Sequence, residues 1–126
     1  MEQVMSHFRP MDPAFPIDRQ LGLEASPVVL INLFTLDKVD EPKFLEVWQD
    51  DAAFMKRQPG FISTQLHRAL GENPTYPNYA VWESTAHFQA AFVHPEFRAK
   101  MSAYPSSSVA SPHLFQKVAV AGICVA

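Results

Sequence analysis

Three stretches of the chain carry the spacing of apolar residues that β-strands show. Residues 28–36 (VVLINLFTL) are almost continuously apolar and rich in β-branched side chains, which is typical of a central strand covered on both faces. Residues 61–70 alternate between two faces, and the alternation groups Phe61 with Ser63, Gln65 and His67. Residues 78–83 (NYAVWE) predict a third strand.

Two helices are predicted around these strands. The first is capped by Asp40, ends at Pro59-Gly60 and carries an apolar stripe at helical spacing: Phe44, Trp48, Ala52 and Met55. The second follows a cap at Ser84, and its inner side holds Phe88, Ala91 and Phe92. His94-Pro95 is expected to interrupt it before a further turn through Phe97, Met101 and Tyr104.

A loop over residues 105–112 and a last strand over residues 113–120 complete the order βαββαβ. This order is typical of the ferredoxin-like α+β fold, a four-stranded antiparallel sheet with two helices on one face. The opposite face has no helices, and an apolar uncovered face calls for a second subunit, so we expect a homodimer. Residues 28–126 are assigned to this domain.

Residues 1–27 precede the domain and show no sustained period. Prolines at positions 10, 13, 16 and 27 favour an extended arm. Its apolar residues would anchor it, and a disordered tail would carry fewer: Phe8, Phe15, Ile17, Leu21 and Leu23. The arm could lie across its own domain or across a second subunit.

Composition narrows the classes of function. The 126 residues are 48% apolar with a formal charge of −3, and the scattered Lys and Arg residues predict no nucleic-acid partner. No apolar run approaches the ~18 residues of a membrane span, and the N-terminus does not resemble a secretory signal. A single cysteine, Cys124, suits a reducing compartment, so we expect a cytoplasmic protein without a membrane partner.

The chemistry-bearing residues cluster on the predicted central strands. Asn78, Ala80 and Trp82 share one face of the third strand, and Asn32 lies on the neighbouring first strand. Two buried amides beside an indole N–H need internal hydrogen bonds or a ligand, since an unpaired buried polar group costs about 1–3 kcal/mol. The residues therefore predict either a ligand pocket with these donors or a satisfied polar pair with Trp82 in the core.

Histidines offer a second group of candidates. His67 or His113 could act as a general base near neutral pH, or each could be a partly exposed side chain with a local hydrogen bond. The five histidines lack zinc-ligand spacing, so no metal site is predicted. Nucleophile elbows and glycine-rich phosphate loops are absent from the sequence.

Several short motifs, in order along residues 28–121, resemble the antibiotic biosynthesis monooxygenase (ABM) domain superfamily. They are NLFT at 32–35, PGF at 59–61, NYAVWES at 78–84, Phe88, and HPEF at 94–97. The resemblance implies a dimeric ferredoxin-like fold, and members include oxygenases of anthrones and quinols that use O₂ without a cofactor. It implies that Asn78 and Trp82 polarise a substrate oxygen and that Asn32 assists.

The resemblance also carries departures. Phe88 stands where the anthrone oxygenases have a Tyr, and Ser102 and Pro105 stand where an Arg would fall. Ala91 and Met101 replace the Trp and His of the haem-degrading branch, so haem is not expected.

The sequence thus favours a cofactor-free monooxygenase acting with O₂ on a small aromatic, anthrone- or quinol-like compound. Substrate contacts are expected from Phe34, His67, Phe88, Phe92 and His113. Two alternatives stay open: a non-catalytic small-molecule-binding or stress-response module, and an isomerase or cyclase that works through an enolate.

Overall fold

The computed structural model describes residues 7–126, so the first six residues of the predicted arm lie outside the described part. One antiparallel sheet has the order β2-β3-β1-β4, with β1 at Val28–Thr35, β2 at Phe61–Leu66, β3 at Thr75–Trp82 and β4 at Val109–Phe115. The helices are α1 (Ile17–Gln20), α2 (Glu41–Lys56), α3 (Thr85–Phe92) and α4 (Pro95–Met101). This arrangement confirms the predicted ferredoxin-like α+β fold.

The central pair of strands sets the faces of the sheet. In the β1–β3 ladder, Leu30 lies opposite Ala80 and Asn32 lies opposite Asn78. Directly opposed residues share a face of the sheet, so both asparagines project to the same side. We call this side, which packs against the helices, the inner face; its core includes the fully buried Trp82, Phe44, Phe54 and Phe88.

Helix α2 buries one side, made of Phe44, Val47, Asp51 and Phe54. Asp40 occupies the predicted N-cap position, but its carboxylate accepts a hydrogen bond from Ser107 Oγ at 2.6 Å and does not cap the helix. The helix ends at Lys56, before the predicted stop at Pro59-Gly60, and Gly60 in the following turn has a φ of 85°, which suits a glycine. A Cβ atom there would lie 2.2 Å from the His87 ring, so the close approach of α3 also requires glycine.

The predicted interruption of the second helix is confirmed. Ser84 Oγ accepts the His87 N–H at 3.2 Å and caps α3, which ends at Phe92. The His94 side chain caps α4 by accepting the Glu96 N–H at 3.0 Å, and Pro95 starts that helix. Proline favours the first turn of a helix because no hydrogen bond is lost there.

The boundaries of the last strand were predicted wrongly. Strand β4 runs from Val109 to Phe115, whereas the sequence pattern placed a loop at 105–112 and a strand at 113–120. Pro112 suggested a loop, but an edge strand tolerates proline because one row of its backbone groups is not paired within the sheet. The apolar residues beyond β4 are exposed, with Val118 at 70%.

The alternation predicted for β2 was also wrong. A β-bulge between Phe61 and Ser63 shifts the register, so that Phe61 pairs with Trp82 and Thr64 pairs with Ala80. Phe61 and Thr64 therefore both reach the inner face. The strand ends at Leu66, four residues before the predicted end.

The described part of the N-terminal arm lies along its own domain. Phe8 bridges to Ala110, and the backbone of Arg9 donates to Ala110 O at 2.9 Å, which pairs the free edge of β4. Further along the arm, the Gln20 amide accepts from Leu114 N at 2.8 Å and donates to Leu114 O at 2.9 Å. These bonds cover backbone groups that an edge strand would otherwise expose. Within residues 7–126, no helix has the length and apolar character to cross a membrane.

Replacing Gln20 by Ala is expected to lower the free energy of unfolding by about 1–2 kcal/mol, because two backbone groups of β4 lose their partner. Urea unfolding followed by circular dichroism measures this difference. Gln49→Ala on the exposed side of α2 is the control, with an expected change below about 0.5 kcal/mol. Equal effects of the two substitutions would contradict the edge-covering role of Gln20.

Candidate active site

A cavity of about 50 Å³ lies between the inner face of the sheet and the helices. The sheet contributes alternate residues of its two central strands, Leu30, Asn32 and Phe34 from β1 and Asn78, Ala80 and Trp82 from β3. The helices contribute mainly apolar side chains: Trp48, Ala52, Met55, Phe88, Phe92 and Phe97. The result is a largely aromatic chamber with a few polar groups.

A second cavity of about 40 Å³ adjoins the first. The two cavities share Asn32, Phe34, Asp51, Phe92 and Phe97 as lining residues. The far wall of the second cavity is formed by the N-terminal arm, through His7 and Phe8, and by the segment from the end of α4 into β4: Met101, Tyr104, Ser108 and Ala110. The arm is therefore part of the chamber wall.

The two asparagines offer different groups to the cavity. Thr64 Oγ1 donates to Asn78 Oδ1 at 2.5 Å, so the N–H₂ group of Asn78 is the one left to bind a ligand. Asn32 Oδ1 is buried and has no hydrogen-bond partner. A cross-strand pair of amides thus presents a donor and an acceptor side by side.

Trp82 is held rigidly at the end of β3. It is 1% exposed, and its ring meets Phe61 and Phe88 edge-on, at centroid distances of 5.4 and 5.8 Å. Such edge-to-face contacts fix an aromatic ring in one orientation. The indole is thereby positioned as part of the cavity wall.

Asp51 of α2 is a site residue that the sequence analysis missed. It is 8% exposed and lines both cavities. Tyr104 donates its O–H to Asp51 Oδ2 at 2.8 Å, whereas Oδ1 has no partner. Burial raises the pKa of the carboxyl from its ordinary 3.8 to about 7, against the lowering effects of the Tyr104 hydrogen bond and the Lys100 charge.

A pattern in the sequence could have revealed Asp51. It follows Phe44 by seven residues and therefore lies on the same side of the helix. The stripe of Phe44, Trp48, Ala52 and Met55 was found because its members are apolar, and a search for apolar residues passes over a carboxylate. A charged residue seven positions after a buried apolar residue of the same helix indicates a buried carboxylate of this kind.

The buried polar atoms without partners concentrate in this chamber. Among residues 7–126 there are four such side-chain atoms, and three of them belong to cavity-lining residues: Asn32 Oδ1, Asp51 Oδ1 and Ser108 Oγ. Leaving a buried polar atom unpaired costs about 1–3 kcal/mol. Three in one chamber make it the candidate place for a ligand with polar edges.

The predicted site residues divide into two groups. The cavity brings together Asn32, Asn78 and Trp82 with the predicted contact residues Phe34, Phe88 and Phe92. His67 is exposed, lies beyond the end of β2 and lines neither cavity. His113 pairs with Ile31 in the sheet, on the face opposite the cavity, and its Nε2 lies 3.2 Å from the Gln20 amide nitrogen.

Asp51→Asn is expected to stabilise the protein as the pH rises. Since the folded state holds the Asp51 proton up to about pH 7 and the unfolded chain releases it near 3.8, the native carboxyl lowers stability progressively across this interval. The full effect above pH 7 is roughly 4 kcal/mol at about 1.4 kcal/mol per pKa unit. Urea unfolding at pH 4 and pH 8 measures the gain, which should be near zero at pH 4.

Asp50→Asn provides the control, because the Asp50 side chain, which pairs with Lys100, is itself 67% exposed. We expect less than about 1 kcal/mol for this variant. A difference between Asp51→Asn and the native protein that is the same at both pH values would contradict the raised pKa.

Comparison with known proteins bears on this site. A family model for antibiotic biosynthesis monooxygenases matches residues 27–102. The deoxynogalonate monooxygenase of Streptomyces nogalater is 33% identical over 94 residues, which cover 75% of this chain and 79% of that protein.

Solved structures show the same relationship. SnoaB, a cofactor-independent oxygenase from Streptomyces nogalater, has a TM-score of 0.68 and 30% identity, covering 78% of this chain and 99% of its own. A crystal structure from Shewanella loihica PV-4 has a TM-score of 0.62 and 31% identity, covering 79% of this chain and 100% of its own. The chain therefore belongs to the antibiotic biosynthesis monooxygenase family.

Proposed function

We propose that the protein is a cofactor-independent monooxygenase that oxidises a small aromatic, anthrone- or quinol-like compound with O₂. The main support for this proposal is the pair of opposed amides, Asn32 and Asn78. They lie in a largely aromatic chamber that includes Trp82. The similarity of the chain to a cofactor-independent oxygenase supports the same chemistry. The flat aromatic walls suit a flat ring, and the amides suit oxygen substituents on that ring.

The reaction places few demands on the protein. An anthrone or a quinol that loses a proton becomes an anion able to reduce O₂ directly. The N–H₂ group of Asn78 and the indole N–H of Trp82 would donate to the oxygen on which negative charge develops, and Asn32 would orient the ring through a second substituent. Donors in a dry, preorganised site stabilise such a charge far more than they would in water.

The chamber has to widen before an aromatic substrate fits. Its two parts, of about 50 and 40 Å³, hold only a few water molecules, and typical ligand pockets are several times larger. Met55 and Met101 line the walls, and methionine side chains change shape at low cost. Phe8 of the arm packs on Phe92 at a centroid distance of 6.0 Å, so movement of the arm would enlarge the second cavity.

A binding module is the second candidate. Phe88 supplies no hydroxyl, is 1% exposed and stands where the family's anthrone oxygenases carry a Tyr. A chamber that lacks this hydroxyl is suited to holding a ligand as well as to transforming it.

An enolate isomerase or cyclase would use the same donors and would consume no oxygen, so an oxygen assay separates it from a monooxygenase.

Oxygen consumption with 1,8-dihydroxyanthrone and a panel of hydroquinones tests the proposal. We expect Asn78→Ala and Trp82→Phe each to lower kcat/KM by about 10²-fold, since each removes one donor to the developing charge. Gln65→Ala is the matched control, because Gln65 lies exposed on the neighbouring strand, outside both cavities. Circular dichroism confirms that each variant is folded.

Three results would go against the monooxygenase. Equal rates of oxygen consumption in the native protein, Asn78→Ala and Trp82→Phe would contradict the proposed roles of these two residues as donors. Turnover without oxygen uptake would select an isomerase or cyclase. Tight binding of the anthrone without any turnover would select the binding module.

We propose in addition that the protein is a homodimer. The face of the sheet opposite the cavity carries apolar side chains that stay partly exposed in the described part of the chain, with Tyr79 39% exposed and Phe115 37% exposed. Ile31 and Val81 lie between them on the same face by the register of the sheet. A second copy of this chain would bury this surface.

Tyr79→Arg is expected to shift the protein toward the monomer, because a buried unpaired charge in the interface disfavours association. Sedimentation velocity at micromolar concentration measures the shift, with at least a tenfold weaker dimer expected. Val39→Arg is the control, since Val39 is an exposed apolar residue on a turn before α2. A native protein that sediments as a monomer at these concentrations would end this proposal.

A further inference from the structure

The proposed reaction begins with the loss of a proton from the substrate, and an acceptor for that proton has to exist. Asn32, Asn78 and Trp82 cannot serve, because amides and indoles are not bases near neutral pH. The two histidines considered from the sequence, His67 and His113, line neither cavity. The acceptor has to be sought among the other residues of the chamber.

We infer that Asp51 is the proton acceptor of this site and that Tyr104 is the residue that positions it. The inference rests on the proposed function, since it names the base for that same reaction. Asp51 is the one carboxylate among the residues that line the two cavities in the described chain. Its Oδ1 is buried and unpaired, so this atom is free to take a proton from a bound ligand.

The geometry divides the two oxygens of the carboxylate between two tasks. Oδ2 accepts the Tyr104 hydroxyl at 2.8 Å, which fixes the orientation of the group. Burial and the nearby Asp51 charge hold the pKa of Tyr104 well above its ordinary value, so the phenol stays protonated as a donor. The remaining oxygen, Oδ1, is the reactive one.

The charged groups around Asp51 are few. Lys100 approaches Asp51 from α4, and Asp50 precedes Asp51 on α2. Lys100 and Asp50 are joined by a 2.7 Å ion pair. His7 of the arm is the other titratable side chain on the second cavity besides Tyr104. A carboxyl with a pKa of about 7 is matched to proton transfer near neutral pH, where both of its forms are populated.

The full reaction balances with Asp51 carrying the protons. For an anthrone, the carboxylate takes one proton from the methylene carbon, and the carbanion adds O₂ to form a C–O bond and a peroxide anion. Asp51 returns the proton to the outer peroxide oxygen and then takes the second C–H proton while the O–O bond breaks. The carbon becomes a carbonyl, and the released hydroxide with that proton forms water, so CH₂ and O₂ give C=O and H₂O.

The test separates proton transfer from oxygen chemistry. The native protein is mixed with 1,8-dihydroxyanthrone under nitrogen, and the visible absorption of the anthrone anion is recorded between pH 5 and 9. We expect the native protein to generate the anion with a midpoint near pH 7 and Asp51→Asn to lack this transition. Under air, Asp51→Asn should lower kcat by about 10²- to 10⁴-fold, the range for loss of a general base.

Tyr104→Phe tests the positioning role. Removing the hydrogen bond that favours the carboxylate raises the pKa of Asp51, so the acid limb of the kcat/KM profile should move to higher pH while activity at pH 9 is largely kept. A merely structural role of Tyr104 would lower activity equally at every pH. Gln65→Ala is again the control, and it should leave the acid limb of the kcat/KM profile near pH 7.

The outcomes are distinct. Anion formation that depends on Asp51, without any oxygen uptake, would support the base and overturn the monooxygenase. Equal anion formation by the native protein and Asp51→Asn, or none by either, would overturn the base. Oxygen uptake that is unchanged in Asp51→Asn would overturn the base while leaving the monooxygenase in place.

Discussion

The register between β1 and β3 is the constraint on which the site depends. It places Asn32 opposite Asn78 and turns both amides toward the helices. A slip of one residue would send every side chain of one strand to the other face. The amide of that strand would then stand on the uncovered surface, and the chamber would lose its cross-strand pair of donor and acceptor. The aromatic packing of Trp82 against Phe61 and Phe88 fixes the end of β3 against β2 and α3.

Much of this arrangement was predictable because it is local. The apolar run of β1, the cap at Ser84 and the break at His94-Pro95 are each set by a few neighbouring residues, and the structure has them as predicted. The inner face of β3 followed from its alternation alone. The errors arose where distant parts of the chain decide the outcome: the bulge after Phe61 and the placement of Pro112 on an edge strand depend on the partners of those strands. Asp51 was missed because a search for apolar residues passes over a carboxylate, and because its partner Tyr104 comes from a distant part of the chain.

The N-terminal arm both covers a strand edge and lines a cavity. Through Phe8 and Gln20 it covers the free edge of β4, and through His7 and Phe8 it closes the second cavity. The family match begins at residue 27, the last residue of the arm. An element outside the matched segment therefore shapes the chamber of this chain. Substrate size in this protein would thus depend on residues that a comparison within the family segment leaves out.

The unpaired polar atoms show how the fold gives up stability for chemistry. A core filled only by the aromatic residues around Trp82 would be more stable than one that holds the carboxylate of Asp51 with an unpaired oxygen. The same burial that destabilises the charged form lifts its pKa to about 7, where a carboxylate becomes a useful base. A reaction in which the substrate itself reduces O₂ asks the protein for a base, a few N–H donors and a dry cavity. The chamber contains a carboxylate, side chains with N–H groups and aromatic walls, and its unpaired polar atoms lower the stability of the fold unless a ligand binds them.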